Sequence, residues 1–506
     1  MKRLLPFVFL ILLVLAGILS VPFLMRPESH RQEITDTLSK LLKRPVVIGP
    51  MSMGYLPPAL RLEQVAVMSN GGSPILQAGM AAATLDWAAL FHLQFAPRDV
   101  ELSRWTLTIS RKVDGGWDIE DWLPGTAGLS GAKAWSLRQV RWKEGEIHWV
   151  DRYAGVSQEL VLTSVEGHWD PRPETMDMQG GFTGITGGVH LSLSAKGQFF
   201  SMPQWSGDLQ LTDQTNSASF HISQSADAMD VKGQSVKWSL ANALSLLKFY
   251  GRGSVASVDS VRLLALENWK MYVLVQKSHL LFEHSAGISG GLTEIKGTID
   301  KSPAGLLAHA DIATQDVPAA AILNLAGSKI PLDGKVTLVV KGFEAVLSSA
   351  TMSSIKGNGY GVLKDGHYHL PEVTVKKLAK AKTMAYIKVK FPDLAEKGIP
   401  LERISAHWNA KNGIATVDDS LFISTDIKAG WVGKLDLARE GLDGYLRLQI
   451  HEKDPAKLRL IPAKYHGEPA YGRLQGTWQE WILRAVAVSK IPSAVRSKLQ
   501  KTLQSK

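Results

Sequence analysis

Val189-His190-Leu191-Ser192-Leu193-Ser194-Ala195-Lys196, followed by Trp205-Ser206-Gly207-Asp208-Leu209-Gln210-Leu211-Thr212, decides the fold class. In both stretches every second residue is apolar or glycine and those between are polar. An extended chain sends successive side chains to opposite sides, so each stretch reads as a β-strand with one apolar and one wet face. The pattern recurs far along the chain. Val336, Leu338 and Val340 alternate with Lys335, Thr337 and Lys341, and Ile387, Val389 and Phe391 alternate with Lys388 and Lys390. Some segments change phase partway, from Leu60 and Leu62 to Val65 and Val67, and from Val100 and Leu102 to Trp105, Leu107 and Ile109. A bulge at each change keeps one face apolar throughout.

Helical signals are short and few. Glu28–Lys43 carries Ile34, Leu38, Leu41 and Leu42 on one stripe, which predicts an amphipathic helix docked on the first strands. Shorter helices are expected over Asp86–Leu93, Leu240–Tyr250 and Val317–Ala326. A last one is expected over Pro492–Gln504, striped by Val495, Leu499 and Leu503 with Ile491 just before it. This final segment, within 481–506, is basic. Lys490, Arg496, Lys498 and Lys501 would meet anionic headgroups if it lay on a membrane, and it can equally cap the β body.

At the other end, Met1-Lys2-Arg3 precedes an uncharged run from Leu4 to Met25. As a helix that run spans about 33 Å, matching a hydrocarbon core of about 30 Å. It is longer than the apolar region of a signal peptide, so residues 1–25 read as a retained single-pass anchor. Lys2 and Arg3 favour a cytoplasmic N-terminus, with the body across the membrane.

The 506-residue chain has no cysteine, which excludes disulfides and thiolate metal sites, and a net charge of +10. With an anchor present, that charge suits anionic lipid better than nucleic acid. One lysine cluster spans Lys376 to Lys390, and its plain reading is a solvated surface. Helices are too few to cover so many half-apolar strands. Either the sheets pair into sandwiches or one elongated, curved antiparallel sheet turns its apolar face into a groove.

No catalytic or metal motif stands out, and the chain reads as a non-enzyme needing no cofactor. Gly287-Ile288-Ser289-Gly290-Gly291 matches G-x-S-x-G, but alternation rather than a helix follows it, so a hairpin turn is expected. His367 and His369 share a strand face without a further ligand placed by the sequence, and read as surface histidines. Asp114 and Asp151 suit turns. Seven of the fifteen tryptophans lie between Trp87 and Trp149, where core packing is preferred to anchoring at headgroups.

The order of pieces in the first 150 residues resembles the N-terminal region of the AsmA family of bacterial envelope proteins. The anchor is followed by Lys43-Arg44-Pro45-Val46-Val47-Ile48-Gly49, then Leu56–Leu62 and Val65–Asn70. Next come Thr84–Leu90, Arg111–Asp118 and Leu137–Asp151. Near the C-terminus Ala410–Ile423, Gly433–Leu437 and Gly472–Trp478 look like the family's closing strands, while 160–400 matches only in general character. The resemblance implies an inner-membrane anchor (1–25), an AsmA-like region (26–160) and a repetitive β-groove body in the periplasm (161–480). It also implies bridge-like phospholipid transfer between inner and outer membranes, in support of outer-membrane homeostasis. The expected lipid-lining residues are Leu107, Ile109, Leu191, Leu193, Leu209, Leu211, Val336, Leu338, Val340, Ile387 and Val389. The expected partners are phospholipid acyl chains, the inner membrane and an outer-membrane or envelope protein. The alternative is a scaffold or assembly factor for outer-membrane proteins acting through exposed strand edges.

Overall fold

The protein is described by a computed structural model. The described residues are 27–55, 57–69, 71–86, 88–89, 96–111, 118, 137–151, 158–172, 174–183, 189–198, 204–213, 216–239, 265–276, 278–303, 305–325, 332–347, 351–369, 398–425, 427–453, 455–459, 468–477 and 481–504. The expected anchor, the Leu240–Tyr250 helix, Asp114, and the segment holding Ile387, Val389 and the lysine cluster lie outside them. Among the described residues no helix is long and apolar enough to cross a membrane.

Strands dominate two units, one comprising residues 1–231 and 245–252, the other 232–244 and 253–506. The first contains β1 (Val46–Val47), β2 (Met51–Tyr55), β3 (Pro58–Met68), β4 (Pro74–Leu85), β5 (Pro97–Arg111) and β6 (Gln139–Asp151). It continues through β7 (Gln158–Asp170), β8 (Thr175–Thr183), β9 (Val189–Gln198), β10 (Gln204–Thr212) and β11 (Ser217–Gln224). The boundary falls within β12 (Ala228–Ser239).

The second unit contains β13 (Ala265–Gln276), β14 (His279–Ile288), β15 (Gly291–Ser302), β16 (Gly305–Pro318), β17 (Lys335–Leu347) and β18 (Lys356–Tyr368). After these come β19 (Ile399–Lys411), β20 (Ile414–Ser424), β21 (Ile427–Asp436), β22 (Gly441–Ile450), β23 (Ala470–Thr477) and β24 (Trp481–Ala485). From β13 to β24 each strand pairs antiparallel with the next. In the first unit β1 and β2 both pair with β3, and one later pair runs the other way. β5 and β6 are parallel, with Val100 level with Val140 and Leu107 level with Ile147, which corrects the wholly antiparallel expectation. A parallel neighbour requires a connection of a dozen residues or more, and β6 begins 28 residues after β5 ends.

The phase changes are resolved along one line across the first unit. Gln64 in β3 and Arg104 in β5 both have φ of 52°. Each lies opposite Gly79 of β4, because Glu63 pairs with Met80, Val65 with Ala78, and Ala78 with Trp105. Glu144 of β6 and Ser164 of β7, both with φ of 53°, continue the line. A left-handed residue turns the following side chains through the sheet. Leu60 and Val67, of opposite parity in sequence, therefore belong to one core.

Helix α1 (Arg31–Leu42) docks on that core through Ile34, Leu38 and Leu42, as its stripe predicts, and ends at Lys43 with φ of 52°. The next residue, Arg44, is buried, and its Nη2 donates to the carbonyl of Asp118 at 2.8 Å. Asp118 in turn exchanges hydrogen bonds with Ser110 of β5, so two widely separated motifs of the N-terminal region meet here. Asp86 accepts the Ala88 and Ala89 amides as a helix start, and the rest of that expected helix lies outside the described residues.

In the second unit α2 (Ala319–Leu325) begins two residues later than expected, because Val317 and Pro318 complete β16 opposite Val336 and Lys335. Two single-turn helices, α3 (Thr351–Ser354) and α4 (Pro455–Leu458), precede the terminal α5 (Ser493–Gln504).

Candidate functional site

Register shows which side chains share a face. In the first unit Leu76, Leu107, Ile147, Leu162, Phe182 and Val189 form an unbroken row across β4 to β9. Leu191 lies opposite Leu211 and Leu193 opposite Leu209, and these continue to Ala218 and Phe220 of β11. Ile109 is level with Trp149 on the same side. The six expected lining residues of this unit thus lie on one face. Leu211 is buried, while the other five are only half-buried.

The second unit repeats the arrangement. Val336 lies between Val317 and Leu363, Leu338 between Thr314 and Gly361, and Val340 between Ile312 and Gly359. The row through Val340 runs from Met271 through His284, Ile295 and Ile312, then on to Gly359, Trp408 and Val417. The residues expected from sequence include Leu107, Leu191, Leu209 and Val340 of these rows but not Ile147, Leu162, Ile295 or Ile312, nor the rings of Trp408 and Trp431. The overlooked signal was glycine. A Cβ on Gly145 would fall 2.1 Å from the Trp105 ring, one on Gly359 2.4 Å from Trp408, and one on Gly444 2.5 Å from Trp431. Rings of one strand cover glycines of another, which explains why glycine is scattered through alternating strands. Trp105 and Trp142 belong to the first unit's core, in line with the packing expectation.

Helices α1, α2, α3 and α5 touch these sheets without covering the faces, α3 lying against β17, where Ser354 accepts the Val346 amide. Helix α1 sits over the first strands alone. Helix α2 enters the core through its first residue, Ala319, which clusters with Leu363 and Leu401. Helix α5 packs on β20 to β22, and Thr502 meets Gly430, whose neighbour Trp431 points to the other side. Leu499 of the helix and Ile491 just before it are fully buried, so the stripe is spent on the sheet as a cap. On its basic side, Lys498 pairs with Asp418, Arg496 donates to the Ile491 carbonyl, and Lys490 and Lys501 are exposed.

Where α5 does not pack, the opposite faces carry polar residues in pairs of opposite charge. On β5 to β9 they line a shallow cleft of about 530 Å³. There Lys143 pairs with Glu101 at 2.6 Å, and that hydrogen bond holds the lysine above its ordinary range. His168 sits between Asp170 and Asp177 at 3.6 and 3.5 Å. Histidine opposite carboxylate recurs at His221 with Asp208, His279 with Asp300 and His407 with Asp419.

Asp333 lies between His367 and His369, at 3.0 Å from the latter's Nε2, a partner that sequence spacing did not place. No group of three His, Cys, Asp or Glu among the described residues has metal-binding geometry. Ser289 and Gly290, with φ of 50° and 84°, form the two-residue turn between β14 and β15, so Ser289 occupies a hairpin rather than a nucleophile elbow. No protein-family model matches the chain, and no relative is found among curated proteins.

Proposed function

We propose that this protein binds phospholipid acyl chains on its apolar sheet faces and passes lipid between inner and outer membranes, anchored by residues 1–25 with its body in the periplasm. The carrying observation is the pair of apolar rows, one in each unit, in which Leu107, Leu191, Leu193, Leu209, Val336 and Leu338 stay half-buried while Leu162, Leu211 and Val340 are buried. A protein segment laid on such a face would bring backbone N–H and C=O groups that find no partner there. Acyl chains bring none, and each buried CH₂ gains about 0.8 kcal/mol. The resemblance of the first 150 residues to the AsmA family supports the same reading and supplies the envelope setting. Binding by many equivalent weak contacts suits movement along the wall better than tight capture.

The test places one charge in each unit, Leu193→Asp and Leu338→Asp, both at half-buried positions. Native mass spectrometry would read co-purifying phospholipid, and dequenching of a fluorescent phospholipid would read transfer between vesicles. Loss of both in a folded variant is expected, and undiminished transfer by it would sink the reading.

A second reading, a scaffold for outer-membrane proteins, draws on β24. Among the described residues this five-residue strand pairs only with β23, and its Ile482 and Leu483 are exposed. It predicts client crosslinks at β24 and indifference to the two charges above.

A further inference from the structure

His284 stands apart from every neighbour on its face. It lies mid-strand in β14, opposite Met271 of β13 and Ile295 of β15, with Phe282 and Ala286 two residues away on either side. The same face of β13 carries Val273 and Val275, and that of β15 carries Thr293, Gly297 and Ile299. None of these can ionise. Glu283, Lys296, His279 and Asp300 belong to the reverse face, paired among themselves. Along the apolar rows of both units, His284 is the one ionisable side chain among the described residues.

Its Nδ1 is buried without a hydrogen-bond partner, although the residue as a whole keeps partial exposure. Of the two ring nitrogens, Nε2 is therefore the one a ligand can reach. Burial also pushes the ring's pKa down from the ordinary histidine value, so the imidazole is neutral at neutral pH and its single N–H is an uncharged donor.

We propose that His284, through Nε2–H, donates a hydrogen bond to the ester carbonyl of a glycerophospholipid whose chains lie on this face. The proposal rests on the lipid-binding reading and adds a chemical preference to it. A phosphate or free carboxylate would need a cation, and no cation shares the face among the described residues. An ester carbonyl is a neutral acceptor attached directly to the apolar chains, and it matches a neutral donor set among apolar residues.

The experiment uses the full chain in detergent and two probes, dioleoylphosphatidylethanolamine and its ether-linked analogue, which lacks both carbonyls. Wild type should bind the ester form roughly three- to tenfold more tightly, the worth of one net hydrogen bond. His284→Leu should erase the preference by weakening the ester form alone, and His284→Gln should retain part of it. Leucine suits the row, and circular dichroism would verify that both variants fold. Equal affinity of wild type for the two probes, or a preference that survives His284→Leu, would overturn the proposal while leaving lipid binding intact. Binding of neither probe would remove the lipid reading and the proposal together. A third arm uses oleate: His284-dependent binding of oleate without an ester preference would assign the contact to a free carboxyl and overturn the proposal.

Discussion

Trp105 of β5 lies against Gly145 of the parallel neighbour β6, so closely that a Cβ on the glycine would fall 2.1 Å from the indole carbon Cε2. The ring takes the place of the missing side chain, and the two residues form one packing unit. Gly145→Ala should therefore destabilise the protein by about 1–3 kcal/mol through overpacking. Urea unfolding would measure it. Gly181→Ala, where the nearest atom would be His190 Nδ1 at 3.5 Å, should be close to neutral. Trp105→Leu should recover much of the loss in the Gly145→Ala background, because the clash goes with the ring. Equal effects of the two alanines would refute the pairing.

Gln64 is an exposed strand residue held at φ of 52°. At an ordinary exposed strand position valine would be welcome, since β-branched residues favour the extended chain. Here the order should invert. Gln64→Val should lose about 1–2 kcal/mol, while Gln64→Gly should match or exceed wild type. Thermal melting of the two variants decides it, and a valine variant as stable as the glycine one would show that the left-handed turn is not required.

The cap formed by α5 depends on burial rather than charge. Leu499 is fully buried, and Leu499→Ala should cost about 2–5 kcal/mol and open the basic C-terminus to trypsin. Lys498→Ala removes an exposed ion pair to Asp418 and should change stability by no more than about 1 kcal/mol. Similar effects of both substitutions would contradict this assignment.

His148 lies between Glu159 and Glu146, at 2.7 and 3.1 Å. The hydrogen bond to Glu159 raises its pKa first and most, burial opposes the rise, and the bond to Glu146 adds to it. A raised folded-state value means that the contribution is fully present below the ordinary histidine value of 6.5 and fades as pH climbs through the raised one. Asp300, lowered by its bond to His279, has the opposite slope. Its contribution is present above the ordinary carboxylate range and is lost as pH falls through the lowered value. The melting advantage of wild type over Glu159→Gln should accordingly be larger near pH 6 than near pH 9. A constant difference across that window would remove His148 from the account.

The strand content was legible because alternation is a local property. Val189 to Lys196 and Lys335 to Lys341 announce two unlike faces whatever their partners are. The breaks after Leu62 and Leu102 even located the left-handed residues Gln64 and Arg104 to within a position or two. Partnership was not legible. Alternation in β5 and β6 is the same whether they run parallel or opposed, so the inversion between them escaped notice. Asp333 joins His367 and His369 only through tertiary folding, and no spacing rule reaches it. The expected lining residues were aliphatic because aliphatic alternation is conspicuous. Trp408 over Gly359 is invisible until the register is known. For α5 both a membrane surface and the β body were admissible partners, and the burial of Leu499 shows which one its stripe meets.

The line of left-handed residues through β3, β5, β6 and β7 also governs how such a chain can change in length. One extra residue within any of these strands would carry its turning point out of step with its neighbours and reverse the sidedness of everything beyond it. Additions of one or two residues are absorbed freely only in the hairpin loops. Growth of the sheet itself is confined to whole added hairpins, so related sequences that align here should differ by blocks and hardly ever by single gaps within these four strands.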